Sequence, residues 1–334
     1  MPKKPATRPG ADARSIALGM LVLYVVWGST YLAIAIAVET IPPFLMAGAR
    51  FLLAGFVLLG WVLVRNGRPS LVASRREWRD SLIVGALLLG GGMGMVAFGE
   101  QTVPSGITAL LIALMPVWVA VFGRAFLGER LPGIAVLGIV VGFIGVGILV
   151  GPTLTGGAGA LDPLGLAAII ISPISWSLGS LYASHRATLP RQPLVATGLQ
   201  MVLGGIVLLA MSLVTGEPFA FDPLGVSAAS VSAFLYLAVI GSLLAFTAYG
   251  WLLRVAPLPL VATYAYVNPV VAVILGAIVL QEPIDARTVL AGAVIIGAVA
   301  LIVTARGRMT APRTPVEAIR TPPAPSEPLV APTP

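Results

Sequence analysis

Apolar side chains run along this chain in ten long blocks separated by short polar turns, and the pattern predicts ten helices. A helix crossing a hydrocarbon layer of about 30 Å needs about 20 mostly apolar residues. The blocks that meet this length cover residues 16–37, 43–64, 81–101, 105–125 and 133–151, then 164–186, 194–215, 230–253, 258–280 and 286–304. They are numbered below as segments 1 to 10. Transmembrane β-barrels are excluded, because their strands alternate apolar and polar positions over about 10 residues. These runs are continuous and twice as long.

The second half of the pattern repeats the first. Pro116, Val117, Gly123, Leu127 and Glu129 recur 153 positions later as Pro269, Val270, Gly276, Leu280 and Glu282. At an offset of 150, Gly48, Leu53, Gly55, Val57, Leu58 and Leu59 recur as Gly198, Leu203, Gly205, Val207, Leu208 and Leu209, with Gln200 standing opposite Arg50. The copies occupy 16–151 and 164–304, joined by an extracytoplasmic linker at 152–163. Each copy holds five segments. An odd number reverses the entry side of the second copy, so the predicted fold is an all-α polytopic membrane protein of ten transmembrane helices in two inverted five-helix repeats. Such repeats are a mark of transporters with a site near mid-bilayer.

Composition agrees with a lipid environment: 58% of residues are hydrophobic and 10% charged, more apolar surface than one water-soluble core buries. The formal charge of +7 is an orientation signal rather than a nucleic-acid footprint. With the N-terminus in the cytoplasm, 18 of the 20 basic residues fall inside, leaving only Arg287 outside and Arg50 within a span. The positive-inside rule expects this of a multi-pass protein of the cell membrane with both termini cytoplasmic. Segment 1 is too long for a cleaved signal, whose apolar region is about 7 to 15 residues. The tail 1–15 is read as cytoplasmic, and 305–334 as a disordered cytoplasmic extension rich in proline. Without cysteine, no disulfide framework or thiolate chemistry is available.

Few residues are suited to covalent chemistry. No Gly-rich loop followed by Lys and Ser or Thr is present, and the only lysines are Lys3 and Lys4, so ATP is not the expected power source. His185 is the sole histidine, and it cannot form a metal cluster or a Ser-His pair. No metal and no cofactor is expected. Gly90, Gly91, Gly92 and Gly94 fall mid-span, as do Gly138 and Gly142, and suit close helix packing.

The midpoints of four segments carry unusual residues: Trp27 in segment 1, Trp176 in segment 6, Pro116 in segment 4 and Asn268-Pro269 in segment 9. Each proline removes a backbone donor and frees the carbonyl four residues earlier, at Ile112 and Ala265, which must then face protein or a watery cavity. Pro116 and Pro269 are therefore expected to break their helices. Asn268 either caps the break or also contacts a ligand; an intramembrane polar group is a functional hypothesis by default. Tyr24, Trp27 and Tyr31 share a face at helical spacing, beside Ser29 and Thr30, and Tyr264 lies one turn before Asn268. That face either packs or receives an organic substrate, and a mid-depth tryptophan suits the second. Arg50 needs a partner, for which Glu100 is nearest by depth. The pair reads as a structural bridge or an outer gate, and a desolvated Glu100 would be able to carry a coupling proton. Glu129 and Glu282, just before segments 5 and 10, read as helix-start stabilisers.

Trp27-Gly28-Ser29-Thr30-Tyr31, Arg50, Glu100-Gln101 with Val103-Pro104-Ser105-Gly106, and Tyr264-Ala265-Tyr266-Val267-Asn268-Pro269 together resemble the EamA family of the drug/metabolite transporter superfamily, and within it the YedA-like exporters. The likeness covers about residues 15 to 305. It implies a basket-shaped carrier whose central cavity is lined by helices 1, 3, 4, 6, 8 and 9, and export of amino acids, metabolites or toxic organic compounds. The chain departs from the family at Glu100-Gln101, where an Ala-Leu pair is common, and at Trp176, which Ser177-Leu178 follow. The resulting expectation is a secondary exporter of small organic substrates. Tyr24, Trp27, Tyr31, Trp176, Tyr264 and Asn268 would bind substrate, and Arg50, Glu100 and Gln200 would gate or couple. A sugar-phosphate or nucleotide-sugar exchanger would want several cavity cations. An intramembrane enzyme would need a paired nucleophile and base or two close acids, and a passive scaffold has no need of broken helices.

Overall fold

Each apolar block forms a helix because, without water, a backbone can satisfy its N–H and C=O groups only from within. The computed structural model describes residues 12–67, 72–129, 131–155, 160–256, 258–261 and 263–310. The expectations for the tails up to residue 11 and from 311 onward, for linker residues 156–159, and for Arg68 and Arg130 lie outside the described residues. Among the described residues there is no strand, and nine helices are long and apolar enough to cross a membrane. Eight of them are α1 (Ala13–Val38), α2 (Pro43–Asn66), α3 (Arg75–Gly99), α4 (Ser105–Leu127), α5 (Gly133–Thr153), α6 (Pro163–His185), α7 (Pro193–Val214) and α8 (Ala228–Tyr249). Next comes α9 (Tyr264–Val279), shorter at 16 residues, with the single turn Leu258–Val261 before it. The last long helix is α10 (Ala286–Ala305).

Several boundaries differ from the expected ones: the first helix begins at Ala13 and the last continues to Thr310, within stretches expected to be tails, and the fifth continues to Thr155, within the expected linker. The third segment was expected to begin at 81, but α3 starts at Arg75, because Ser74 and Glu77 form a reciprocal capping box that draws a polar turn into the helix. The ninth was expected to run unbroken from 258 to its proline; instead Leu258–Val261 and Tyr264–Val279 are separate helices.

Three spans are locally unwound into π-helix: Leu23–Trp27 in α1, Ala86–Gly94 in α3 and Leu237–Leu244 in α8. The last two occupy matching places in the two halves. π segments shift the register of side chains along a helix and frequently sit at functional sites.

The helices pack in pairs that map onto themselves when helix n is exchanged for helix n+5. α2 packs on α7, α5 on α10 and α4 on α9; α3 on α6 matches α8 on α1, and α1 on α9 matches α6 on α4. The α2–α7 contact is made by glycines. A Cβ on Gly48 would lie 3.2 Å from the Gly205 carbonyl oxygen, and a Cβ on Gly55 would lie 3.0 Å from that of Gly198. The two helices therefore run in opposite senses where they touch, and only residues without a side chain let their backbones come so close. The outward faces, at Phe56, Trp61, Val64 and Ile278, leave large apolar side chains exposed, as suits contact with lipid.

Candidate functional site

Local irregularities in α1, α3, α4 and α6 open a space between the helices. In α4 the helix stops at Ile112 and restarts at Met115, with Pro116 in the first turn of the new helix. Pro173 interrupts the hydrogen bonding inside α6. Hydroxyl groups compensate the disturbed carbonyls: Thr30 Oγ1 donates to the Trp27 oxygen at 2.6 Å, Ser29 Oγ to Val26 at 2.9 Å, Ser175 Oγ to Leu87 at 2.8 Å, and Ser177 Oγ to Pro173 at 2.6 Å and Met115 at 3.2 Å. In an apolar medium each such bond removes a large penalty.

The space so formed is a cavity of about 300 Å³, at the small end of the range typical of ligand sites. Trp27 and Thr30 from α1, Ser172, Trp176 and Ser180 from α6, Tyr249 from α8, and Tyr264 and Asn268 from α9 line it. Met93 of α3, Met115 and Pro116 of α4, and Arg50 of α2 complete the wall. The residues whose carbonyls lose a partner to the prolines, Ile112 and Ala265, both line this cavity.

Three rings form one wall. Trp27 lies 5.2 Å from Tyr249 and meets Tyr264 edge-on at 5.0 Å, while Tyr249 and Tyr264 are perpendicular at 5.9 Å. Gly28 lets α9 approach beside Trp27, since a Cβ there would sit 3.3 Å from the Asn268 carbonyl oxygen. Asn268 is buried, and its Oδ1 has no hydrogen-bond partner.

Of the residues the sequence singled out, Trp27, Trp176, Tyr264, Asn268, Arg50 and Pro116 meet at the cavity. Tyr24 and Tyr31 are not on its wall. The Tyr24 hydroxyl bonds Thr263 Oγ1 and its ring packs on the cluster of Met20, Leu23, Leu252 and Val261. Tyr31 packs on the cluster that holds Ile34 and Phe51. Tyr24 and Trp27 do share the first of these clusters, but the π segment Leu23–Trp27 lies between them and shifts their relative register, whereas Tyr31, four residues of regular helix beyond Trp27, packs on neighbouring helices instead of the cavity. Gln200 does not line the cavity either; its backbone oxygen abuts Gly85 of α3, where a Cβ would sit 2.6 Å away.

Arg50 is 3% exposed and does not pair with Glu100. Its Nε donates to Ser242 Oγ at 2.9 Å, and its guanidinium lies 4.8 Å from the centre of the Phe51 ring. Depth along a span gives no azimuth, so two residues at one depth need not meet. Glu100, buried at the end of α3, has neither carboxylate oxygen hydrogen-bonded, and the charge that bears on it is the like charge of Glu282. Glu282 does stabilise a helix start, but that of α4 rather than α10: it accepts from the backbone N–H groups of Ser105 and Gly106. Pro269 is also reassigned. It lies inside the continuous α9, and the interruption falls before Tyr264.

Tyr249, Ser172 and Ser180 escaped the sequence reading. A signal existed for the serines, since Ser172, Trp176 and Ser180 are spaced by four and share a helical face.

A bundle of apolar helices around such a cavity is the architecture of a membrane carrier, and the comparisons with known proteins agree. The model of the EamA-like transporter family matches residues 14–151 and again 163–304. The inner membrane transporter YedA of Escherichia coli K12, named as uncharacterized, is 40% identical over 304 residues, covering 90% of this chain and 93% of its own. The transporter YvbV of Bacillus subtilis 168 is 25% identical over 84% of this chain and 88% of its own, and protein PecM of Dickeya dadantii 3937 is 28% identical over 82% and 85%. A solved crystal structure 21% identical to the chain has the same fold, with a TM-score of 0.59 over 90% of this chain and all of that one. The chain belongs to the EamA-like transporter family and is a multi-pass membrane protein.

Proposed function

We propose that this protein is a secondary transporter that carries small organic substrates through the cavity at Trp27, Trp176, Tyr264 and Asn268 by alternating access. The moving parts are two inverted five-helix repeats, residues 16–151 and 164–304, with both termini in the cytoplasm and the protein in the cell membrane. The observation that carries this reading is the cross-pairing of equivalent glycines. Gly48 and Gly55 of the first repeat correspond to Gly198 and Gly205 of the second, and they touch as Gly48 with Gly205 and Gly55 with Gly198. Residue i meeting j′ while j meets i′ is the contact pattern of a two-fold axis. With the antiparallel crossing of α2 and α7, that axis lies in the membrane plane, the arrangement of inverted-repeat carriers.

The wall suits a substrate with an apolar or aromatic body against Trp27, Tyr249 and Tyr264, and a polar end at Asn268. Export is the direction that fits the resemblance to efflux carriers. Glu100, buried without a hydrogen-bond partner, is the candidate for a coupling proton; transport unchanged by an imposed pH gradient removes it from that role. Arg50 is the one charged residue on the wall, which disfavours sugar phosphates and other multiply charged cargo.

The test is counterflow in proteoliposomes against a panel of amphiphilic compounds. Asn268→Ala and Trp27→Ala, at normal levels in the membrane, should each lose most of the wild-type activity. Wild-type rates in both variants would dismiss this cavity as the route.

A further inference from the structure

We infer that Arg50 is a substrate anchor, and that the cargo is a small organic monoanion whose carboxylate sits on the Arg50 guanidinium while its apolar body lies on the Trp27–Tyr249–Tyr264 wall. The inference rests on the transport reading above and names the substrate class for the same cavity.

Arg50 is the single charged side chain among the residues lining the cavity, and it is almost fully buried. Among the described residues no carboxylate comes within ion-pair distance of it. Its partners are neutral: Nε is used by the Ser242 hydroxyl, one face lies over the Phe51 ring, and Nη2 is close to Gly241, where a Cβ would stand 3.4 Å away. A cation held this deep without a counter-ion is costly, and proteins of the membrane keep such groups where they meet a substrate, an ion or each other. Glu100 is not that counter-ion, since no ion pair joins it to Arg50 and both its oxygens are unbonded.

The second repeat supplies an internal control. The position equivalent to Arg50 is Gln200, which lies off the cavity wall. A helix packed in the same manner thus manages without the charge, so the packing of α2 does not by itself require arginine. Ser242 fixes the side chain through Nε, which leaves the terminal nitrogens without a hydrogen-bonded partner among the described residues, and the planar donor pair of a guanidinium matches the two oxygens of a carboxylate. One guanidinium serves one such group. The aromatic trio and the volume of about 300 Å³ set the rest of the molecule: compact, and apolar or aromatic.

The experiment titrates the purified full-length protein in nanodiscs with matched pairs, 3-phenylpropanoate against 3-phenylpropanamide and 4-methylpentanoate against its amide. The fluorescence of Trp27 and Trp176 in the wall reports occupancy. Each acid should bind saturably and at least tenfold more tightly than its amide. Arg50→Gln should abolish the preference by weakening only the acid, and Arg50→Lys, which keeps charge but loses the planar fork, should fall between. Equal affinity of acid and amide in the wild type, absence of saturable binding by either acid, or a preference that survives Arg50→Gln would each overturn the inference. If Arg50→Gln does not fold, the wild-type comparison still decides. Counterflow of neutral or cationic amphiphiles without the acids would leave the transport reading standing and defeat only this one; counterflow of nothing in the panel would defeat both.

Discussion

Glu282 lies between α9 and α10, yet its carboxylate holds the start of α4, accepting from Ser105 N at 2.7 Å and Gly106 N at 3.0 Å. The first backbone N–H groups of a helix have no partner within it, and the helix dipole favours a negative charge there. The bond therefore ties the second half of the chain to the first at one end of the bundle. Glu217 does the same for α2, accepting from Phe44 N and Leu45 N.

Glu282→Ala leaves two donors of α4 without their charged acceptor. Bonds to charged groups contribute about 1.5–3 kcal/mol each, so the melting temperature in detergent should fall by several degrees, and Glu282→Gln should lower it less. An unchanged melting temperature in Glu282→Ala would show that the cap carries no stability.

The α2–α7 contact predicts opposite outcomes for two glycines on one helix. At Gly55 a Cβ would lie 2.9 Å from Val202 N and 3.0 Å from Gly198 O, both backbone atoms, whereas at Gly60 nothing lies within 4 Å. Gly55→Leu should cost about 1–3 kcal/mol or more through overpacking and cut the folded yield. Gly60→Leu should be neutral in the same size-exclusion and melting assays. Similar behaviour of the two would contradict the packing.

Tyr249 and Tyr24 should also separate. Tyr249→Ala removes two ring contacts of the cavity wall, each worth about 0.5–1.5 kcal/mol, and should weaken apparent affinity several-fold in counterflow. Tyr24→Phe removes only the hydroxyl held by Thr263, neither residue lining the cavity, and should stay within about twofold of the wild type. A larger loss at Tyr24 than at Tyr249 would relocate the site.

Because Arg50 bonds Ser242 rather than Glu100, Arg50→Ala and Glu100→Ala should be additive in stability, within about 0.5 kcal/mol. Coupling well above that in a double-mutant cycle would restore the ion pair.

The spans were legible because the length of an apolar run is a one-dimensional property that the bilayer itself sets. Trp27, Trp176, Tyr264 and Asn268 were legible for a related reason: aromatic or polar residues at mid-depth have few places to go except a cavity. Azimuth was harder to read. Regular helical spacing puts Tyr24 and Tyr31 with Trp27; the π segment Leu23–Trp27 shifts Tyr24, and Tyr31, although in register, is taken up by packing on the cluster of Ile34 and Phe51. Arg50 and Glu100 shared a depth but not a direction. Pro269 marked the freed carbonyl of Ala265, which lines the cavity, but a proline can lie within a continuous helix, and the interruption fell before Tyr264. Tyr249 became visible only when α8 was packed against α1.

The most direct test of alternating access uses the absence of native cysteine. Ser172→Cys places one thiol, of nearly the same shape as the serine, on the buried cavity wall. In right-side-out and in inverted vesicles, a membrane-impermeant thiol reagent should label it from both sides, and a saturating substrate should slow the labelling. Labelling from one side only, or from neither, would contradict a cavity that opens in turn to each face of the membrane.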